Sequence, residues 1–228
     1  MNKFKQIKRN ISFWWFYKNF FKKFSFYISS HEEELQELYK IRYEVYCQEY
    51  SYIPKEKTKN NLEFDNWDAH STHFIIRDLN NEISATVRLI LNSSINLPIQ
   101  KHFKFNVSTN NIDFNQAAEI SRFIVIKKYR KHHLMFVLMK GIYLFVKEKH
   151  IENVFSVMDD KLFPLLLKIG VPFRKIGPPS IYQGFTYPCI LNIAELENEL
   201  RSNNKKLLKY LTEGGVNFGI KKNKYSVS

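Results

Sequence analysis

The chain has 228 residues, enough for one ordinary domain with a full core and too few for two large ones. Hydrophobic residues at 44%, aromatics at 16% and only 7 Gly and 7 Pro exclude a collagenous, low-complexity or wholly disordered chain. The net charge is +13, but residues 1–28 hold seven Lys or Arg and no acid, and residues 205–228 hold six Lys against Glu213, so the body is nearly neutral and offers no basic face for nucleic acid.

Three units are expected: a basic aromatic segment over 1–28, a folded domain over 29–204 and a basic tail over 205–228. In the first, lysines are interspersed with Phe, Trp and Tyr. Its longest charge-free apolar stretch, Ile11 to Tyr17, is far short of the ~20 residues of a spanning helix, and no small-residue cleavage site follows. Two readings stay open: an interfacial helix lying on anionic lipid, or a helix docked on the domain's own surface or on a second subunit. Cys47 and Cys189 stand far apart with no CxxC partner, which fits a reducing, cytoplasmic setting and no disulfide framework.

Along the body, Ser30-His31-Glu32-Glu33 has the form of a capping box. The helix it opens buries Leu35, Leu38, Val45 and Tyr46, carries Arg42 at the edge of that face and ends near Tyr50. Glu63-Phe64-Asp65-Asn66-Trp67-Asp68 sets three carboxylates around two aromatics, and the cost of exposing those rings predicts a loop folded onto the body. Residues 72–91 read as two strands joined at Leu79-Asn80-Asn81. In the second, Ile83, Ala85, Val87 and Leu89 form one stripe and place Arg88 on the other face. Residues 92–115 read as a surface excursion.

The run 117–126 is strand-like yet carries Glu119 and Arg122, which point to opposite faces of a regular strand. Both can face one cleft only through an extra residue, so a bulge is predicted between them. Lys127-Lys128-Tyr129-Arg130-Lys131-His132-His133 then leads into a helix near Leu134. A strand, a basic loop and a helix start form either an anion site, with Lys127, Arg130 and Lys131 on a donor phosphate, or a solvated loop. A strand at 154–158, a helix at 161–169 and strands near 173–176 and 180–187 complete a mixed α/β pattern. No HExxH, GxSxG or P-loop occurs, and the adjacent His132 and His133 cannot share a helix face, so no metal is expected. Phe74, Ile76, Met135, Met139 and Phe145 suit either an apolar tunnel or ordinary core.

Arg42-Tyr43-Glu44-Val45-Tyr46, Glu63 to Asp68, Arg88-Leu89 and Glu119-Ile120-Ser121-Arg122-Phe123 together resemble the ordered signature of the acyl-homoserine-lactone (autoinducer) synthases and N-acyl amino acid synthases. The greatest likeness is to the exosortase-associated acyltransferases, supported by Met158-Asp159-Asp160 and by Gly177-Pro178 leading to Tyr182-Gln183-Gly184. The resemblance spans roughly residues 33–190. It implies an α/β N-acetyltransferase-like (GNAT-like) fold, with a mixed central sheet splayed in a V and flanked by helices. It further implies that Glu119 is the general base and Arg122 its partner, and that Arg42, Tyr46, Asp65, Asp68 and Arg88 bind the acceptor.

The activity implied is transfer of a fatty acyl group to the amine of an amino acid or similar acceptor. The donor is a thioester of acyl carrier protein or coenzyme A, with no bound cofactor. Tyr46 and Tyr52 stand where the autoinducer synthases carry Phe and Trp, which disfavours S-adenosylmethionine as acceptor. Acyl-homoserine-lactone synthesis and a non-catalytic, membrane-docking module with the same fold are the alternatives. A Cys189 nucleophile is a further rival, with no His fixed beside it by sequence.

Overall fold

The structure, a computed structural model, describes residues 19–29, 32–91, 96–106 and 112–213. Its centre is an eight-stranded mixed sheet: β1 (Phe24–Ser29), β2 (Ser71–Asp78), β3 (Ile83–Leu91), β4 (Ala117–Val125), β5 (Asn153–Met158), β6 (Arg174–Lys175), β7 (Ser180–Ile181) and β8 (Phe185–Asn192). The order is β1-β2-β3-β4-β5-β8-β6, with β7 paired to β8. All pairs are antiparallel except β4 and β5, which run parallel from Ala117↔Asn153 to Ile120↔Ser156. Both strands continue past that last rung, so the sheet opens there into a V.

The face of β3 that carries Ala85, Val87 and Leu89 packs, as its alternation predicts, into the main core. That core is covered by α3 (Leu134–Glu148) through Leu134, Val137, Leu138, Ile142 and Val146. Gly141 lets the helix approach closely, since a Cβ there would lie 2.2 Å from the Phe26 ring. The opposite face carries Ile90, Ala117, Phe155 and Ile190, and it too needs cover. Residues 96–106, within the stretch expected to skirt the surface, supply part of that cover. The short helix α2 (Pro98–His102) buries Leu97, Ile99 and Phe103 there.

The helix α1 (Glu32–Tyr43) passes into a π-helical segment, Glu44–Glu49, ending at Tyr50 as expected. Ser30 and His31 of the proposed capping box lie outside the described residues, as do residues 1–18 of the basic aromatic segment. The remainder of that segment is part of the domain, because Phe20, Phe24 and Phe26 enter the main core. The chain closes with α4 (Leu162–Lys168), α5 (Ile193–Asn203) and α6 (Lys205–Thr212). Helix α6 draws the first turns of the basic tail into the domain through Leu207, Tyr210 and Leu211. Among the described residues no helix is long and apolar enough to cross a membrane.

Candidate active site

A bulge is present, but one step past the predicted span: pairing is regular from Ala118 to Ser121, and the extra residue lies at Arg122–Phe123. Thr86 pairs with Ile124 and Arg88 with Ser121, so β4 has one more residue than β3 across this step. Arg122, at φ +52°, absorbs it. Ser121 and Arg122 therefore reach the same face, where Ser121 Oγ accepts from Arg88 Nε at 2.9 Å and Arg122 meets the acidic loop. Glu119, two positions before Ser121, shares that face.

The loop 63–68 folds down as its aromatics require and presents its acids to three arginines from three elements. Arg42 of α1 donates to Glu63 and to Asp68, both at 2.6 Å. Arg88 of β3 donates to Asp65 at 2.6 Å and Asp68 at 2.9 Å. Arg122 grips Glu63 through Nε and Nη2, at 3.0 and 2.7 Å, and reaches Asp65 at 3.1 Å. Arg42 and Arg88 are each 1% exposed. Burial alone would raise the carboxyl of Glu63, but Arg122 and Arg42 outweigh it and hold it at about 2. Burial likewise opposes ionisation of Asp68, and Arg42 and Arg88 pull it well below the carboxylate range. Burial pushes His73, beside Asp68, down to about 4, so it is neutral.

Arg122 is thus bound to Glu63 and is not the hydrogen-bond partner of Glu119, contrary to the implied pairing. Its positive-φ backbone turns the guanidinium toward the loop. Glu63 is the residue the sequence reading left out of the site. Three buried guanidiniums call for three carboxylates, and Glu63 was the third acid of the same loop.

Glu119 itself is 1% exposed and accepts from the Ile99 amide in the first turn of α2 at 2.8 Å. Burial raises its carboxyl to about 7, against the Ile99 bond and the fields of Arg88 and Arg122. The π-helical segment contributes Tyr46, whose ring lies 5.4 Å from the Arg122 guanidinium and whose phenol burial pushes up to about 12. The hairpin β7–β8 adds Gln183, whose Oε1 accepts from Arg122 Nη1 at 2.8 Å, and Tyr182, stacked on His102 at 4.5 Å.

Beneath the splay, on the face away from Glu119, lies a cavity of about 100 Å³. Ile120 and Phe123 of β4, Met158 of β5, Met135 and Met139 of α3 and Leu211 of α6 are among its walls. This approaches the size of ~150 Å³ apolar cavities that admit a benzene-sized guest. Phe74 and Ile76 belong instead to the packed core, where Phe145 meets Phe74 edge-on. Of the basic loop, Lys127 and Lys131 are exposed. Arg130 is not a free phosphate ligand, because its guanidinium is held by Glu49 at 2.7 Å and by the Val125 carbonyl at 3.0 Å. Cys189 is buried, and burial lifts its thiol to about 12, which disqualifies it as a nucleophile at neutral pH. Among the described residues no group of His, Cys, Asp or Glu could hold a metal ion.

Residues 41–140 match the family described as an acetyltransferase (GNAT) domain. The fold is GNAT-like. The acyl-homoserine lactone synthase LasI superposes with a TM-score of 0.59 at 13% identity, over 75% of this chain and 89% of that one. BjaI, a CoA-dependent acyl-homoserine lactone synthase solved with SAM and isopentyl-CoA, gives 0.58 at 16%, over 78% and 88%. FeeM, an N-acyl amino acid synthase from uncultured soil microbes, gives 0.58 at 14%, over 77% and 93%. No curated protein matches the chain by sequence. The sheet, with its V and flanking helices, agrees with the expected GNAT-like architecture.

Proposed function

We propose that the protein moves a fatty acyl group from a thioester to the amine of an amino acid or similar acceptor, with Glu119 as general base. The observation that carries this reading is the position of Glu119. It is a carboxyl raised to about 7, beside an ion-paired polar network on one face of a sheet whose splay opens over an apolar cavity on the other. An ammonium acceptor must lose a proton before it attacks, and a carboxylate with this affinity takes one near neutral pH. The amine nitrogen then bonds to the thioester carbon. Backbone NH groups beyond the last β4–β5 rung stabilise the oxyanion, and as the carbonyl re-forms the thiolate departs, taking up the second proton that the nitrogen sheds on becoming an amide. The acyl chain enters the cavity below, and Arg42, Asp65, Asp68 and Arg88 fix the acceptor side.

The motif likeness to the exosortase-associated acyltransferases and the fold of FeeM favour an amino acid acceptor, and Tyr46 in place of Phe disfavours S-adenosylmethionine. The exposed Lys127 and Lys131 suit the phosphate of a phosphopantetheine arm. They equally suit the acidic surface of an acyl carrier protein, which we place ahead of coenzyme A as donor. Two free cysteines accord with a cytoplasmic enzyme, for which residues 1–18, the part of the basic aromatic segment ahead of the core residues Phe20, Phe24 and Phe26, supply a contact with the inner membrane face. The test is incubation with acyl carrier protein and coenzyme A thioesters plus mixed amino acids, following thiol release and acylated product by mass spectrometry. Absence of thiol, together with vesicle binding that disappears when residues 1–18 are removed, would instead establish the docking module.

A further inference from the structure

Two observations remain unexplained by the network and the cavity. First, Glu119 is 1% exposed, so an acceptor reaches it only if some element moves. Second, the three buried arginines are not equally committed. Arg42 gives its bonds to Glu63 and Asp68, and Arg88 to Asp65, Asp68 and the Ser121 hydroxyl. Arg122 alone donates to a neutral side-chain amide, through Nη1 to Gln183 Oε1. Arg42 Nη2 has no partner at all, but it lies behind the loop acids on a fully buried side chain. Arg122 Nη1 is the donor held by a residue of a surface hairpin, and a guanidinium binds a carboxylate more strongly than an amide, so here an incoming carboxylate can displace a protein group.

Gln183 sits at the tip of the β7–β8 hairpin, whose two rungs are Ser180↔Thr186 and Ile181↔Phe185. Its tip is left-handed at Gln183 (φ +52°) and Gly184 (φ +94°). Inward, it touches the site through Gln183, through the Tyr182 ring on His102 and Phe103, and through Gly184, where a Cβ would lie 3.1 Å from the Tyr52 ring. Outward, Ile181 is 89% and Phe185 55% exposed, so little apolar burial anchors that side. Such an element, short and tied to the site mainly at its tip, is the one best able to swing.

We infer that the β7–β8 hairpin is a flap over the acceptor site, in which Gln183 holds on Arg122 the place taken by the carboxylate of an α-amino acid acceptor. The inference rests on the acyl-transfer reading and specifies its acceptor. The bulge sets Arg122 on the face of β4 that carries Glu119, and an α-amino acid bears its amine and carboxylate on one carbon. With the carboxylate on Arg122 Nη1, the ammonium group turns toward Glu119. Gln183 then acts as a positioning residue: its release couples arrival of the correct acceptor to opening of the hairpin.

The test compares the common amino acids with their methyl esters, on the wild-type chain and on Gln183→Glu, which ties a permanent carboxylate to Arg122. Hydrogen–deuterium exchange of residues 180–187 should rise severalfold with the acids and not with the esters, and Gln183→Glu should abolish the response. In turnover, Gln183→Glu should raise KM for acids and esters alike, because the hairpin must open for either, and should lower the acid-to-ester ratio of kcat/KM about tenfold. An equal exchange response to acids and esters, or an acid-to-ester ratio of kcat/KM that Gln183→Glu leaves unchanged, overturns the flap. A carboxylate-specific exchange response without thiol release from any thioester upholds the flap and overturns acyl transfer.

Discussion

Replacing Glu119 with Gln tests the base through both stability and rate. Burial raises this carboxyl from 4.5 to about 7. Because the folded state holds the proton more tightly than the unfolded one, the associated stability is complete below about pH 4.5 and is lost as pH rises through 7. A shift of this size corresponds to about 3 kcal/mol. Gln keeps the shape, the neutral state and an Oε1 to accept from Ile99. Urea unfolding should therefore find Glu119→Gln close to wild type near about pH 5 and more stable by about 3 kcal/mol near about pH 8. Glu63, held at about 2, titrates with the opposite sign and outside this window. Turnover of the variant should fall by about 100- to 10,000-fold, and wild-type kcat/KM should climb with pH through about 7. A stability gap that stays constant from acid to alkaline pH would refute the argument, since Glu119 would then share no proton equilibrium with folding.

Met139→Trp fills the cavity beneath the splay and should lower kcat/KM for long-chain thioesters at least about tenfold while sparing short ones; an acyl-chain series with unchanged ratios would show that the chain lies elsewhere. Lys127→Ser with Lys131→Ser should raise the donor KM severalfold and flatten its salt dependence, with kcat retained. Kinetics at two ionic strengths would read this, and an unaltered salt slope would remove the loop from donor binding. Asp68→Asn takes one charge from beneath two buried guanidiniums and should cost about 3–5 kcal/mol. That lowers Tm by about 10 °C in calorimetry; an unchanged Tm would mean that the network does not hold the fold.

Strands β2 to β5 and the need for a bulge were legible because they follow from short-range rules, whereas β1, and the turn that makes a hairpin of residues 180–187 where one strand was expected, were not. Alternation along Ile83–Leu91 fixed which way Arg88 points, and an acid and a base three apart on a buried strand could share a face only through an inserted residue. Residues 97–103 read as surface because their own polarity is mixed. What buries Leu97, Ile99 and Phe103 is the uncovered apolar face of Ala117, Phe155 and Ile190, which belongs to other elements. The same applies at both ends of the domain: Phe24 and Leu207 lie in lysine-rich stretches, and local charge concealed positions that pack into the main core. Motif order selected Arg42, Asp65, Asp68, Arg88 and Arg122, but not which acid each arginine takes. The exchange of Glu119 for Glu63 as the partner of Arg122 depends on one positive-φ residue.

That exchange has a chemical consequence. Had Arg122 paired directly with Glu119, the guanidinium would have held the carboxyl far below neutrality, as Arg122 and Arg42 hold Glu63, and left it too weak a base for an ammonium group. With the three arginines neutralised by Glu63, Asp65 and Asp68, Glu119 keeps most of its desolvation penalty and titrates near 7. The acidic loop thus does more than brace the acceptor side. By saturating the nearby cations it sets the proton affinity of a residue that it does not hydrogen-bond, so removing a loop carboxylate should lower the pKa of Glu119 as well as loosen the fold.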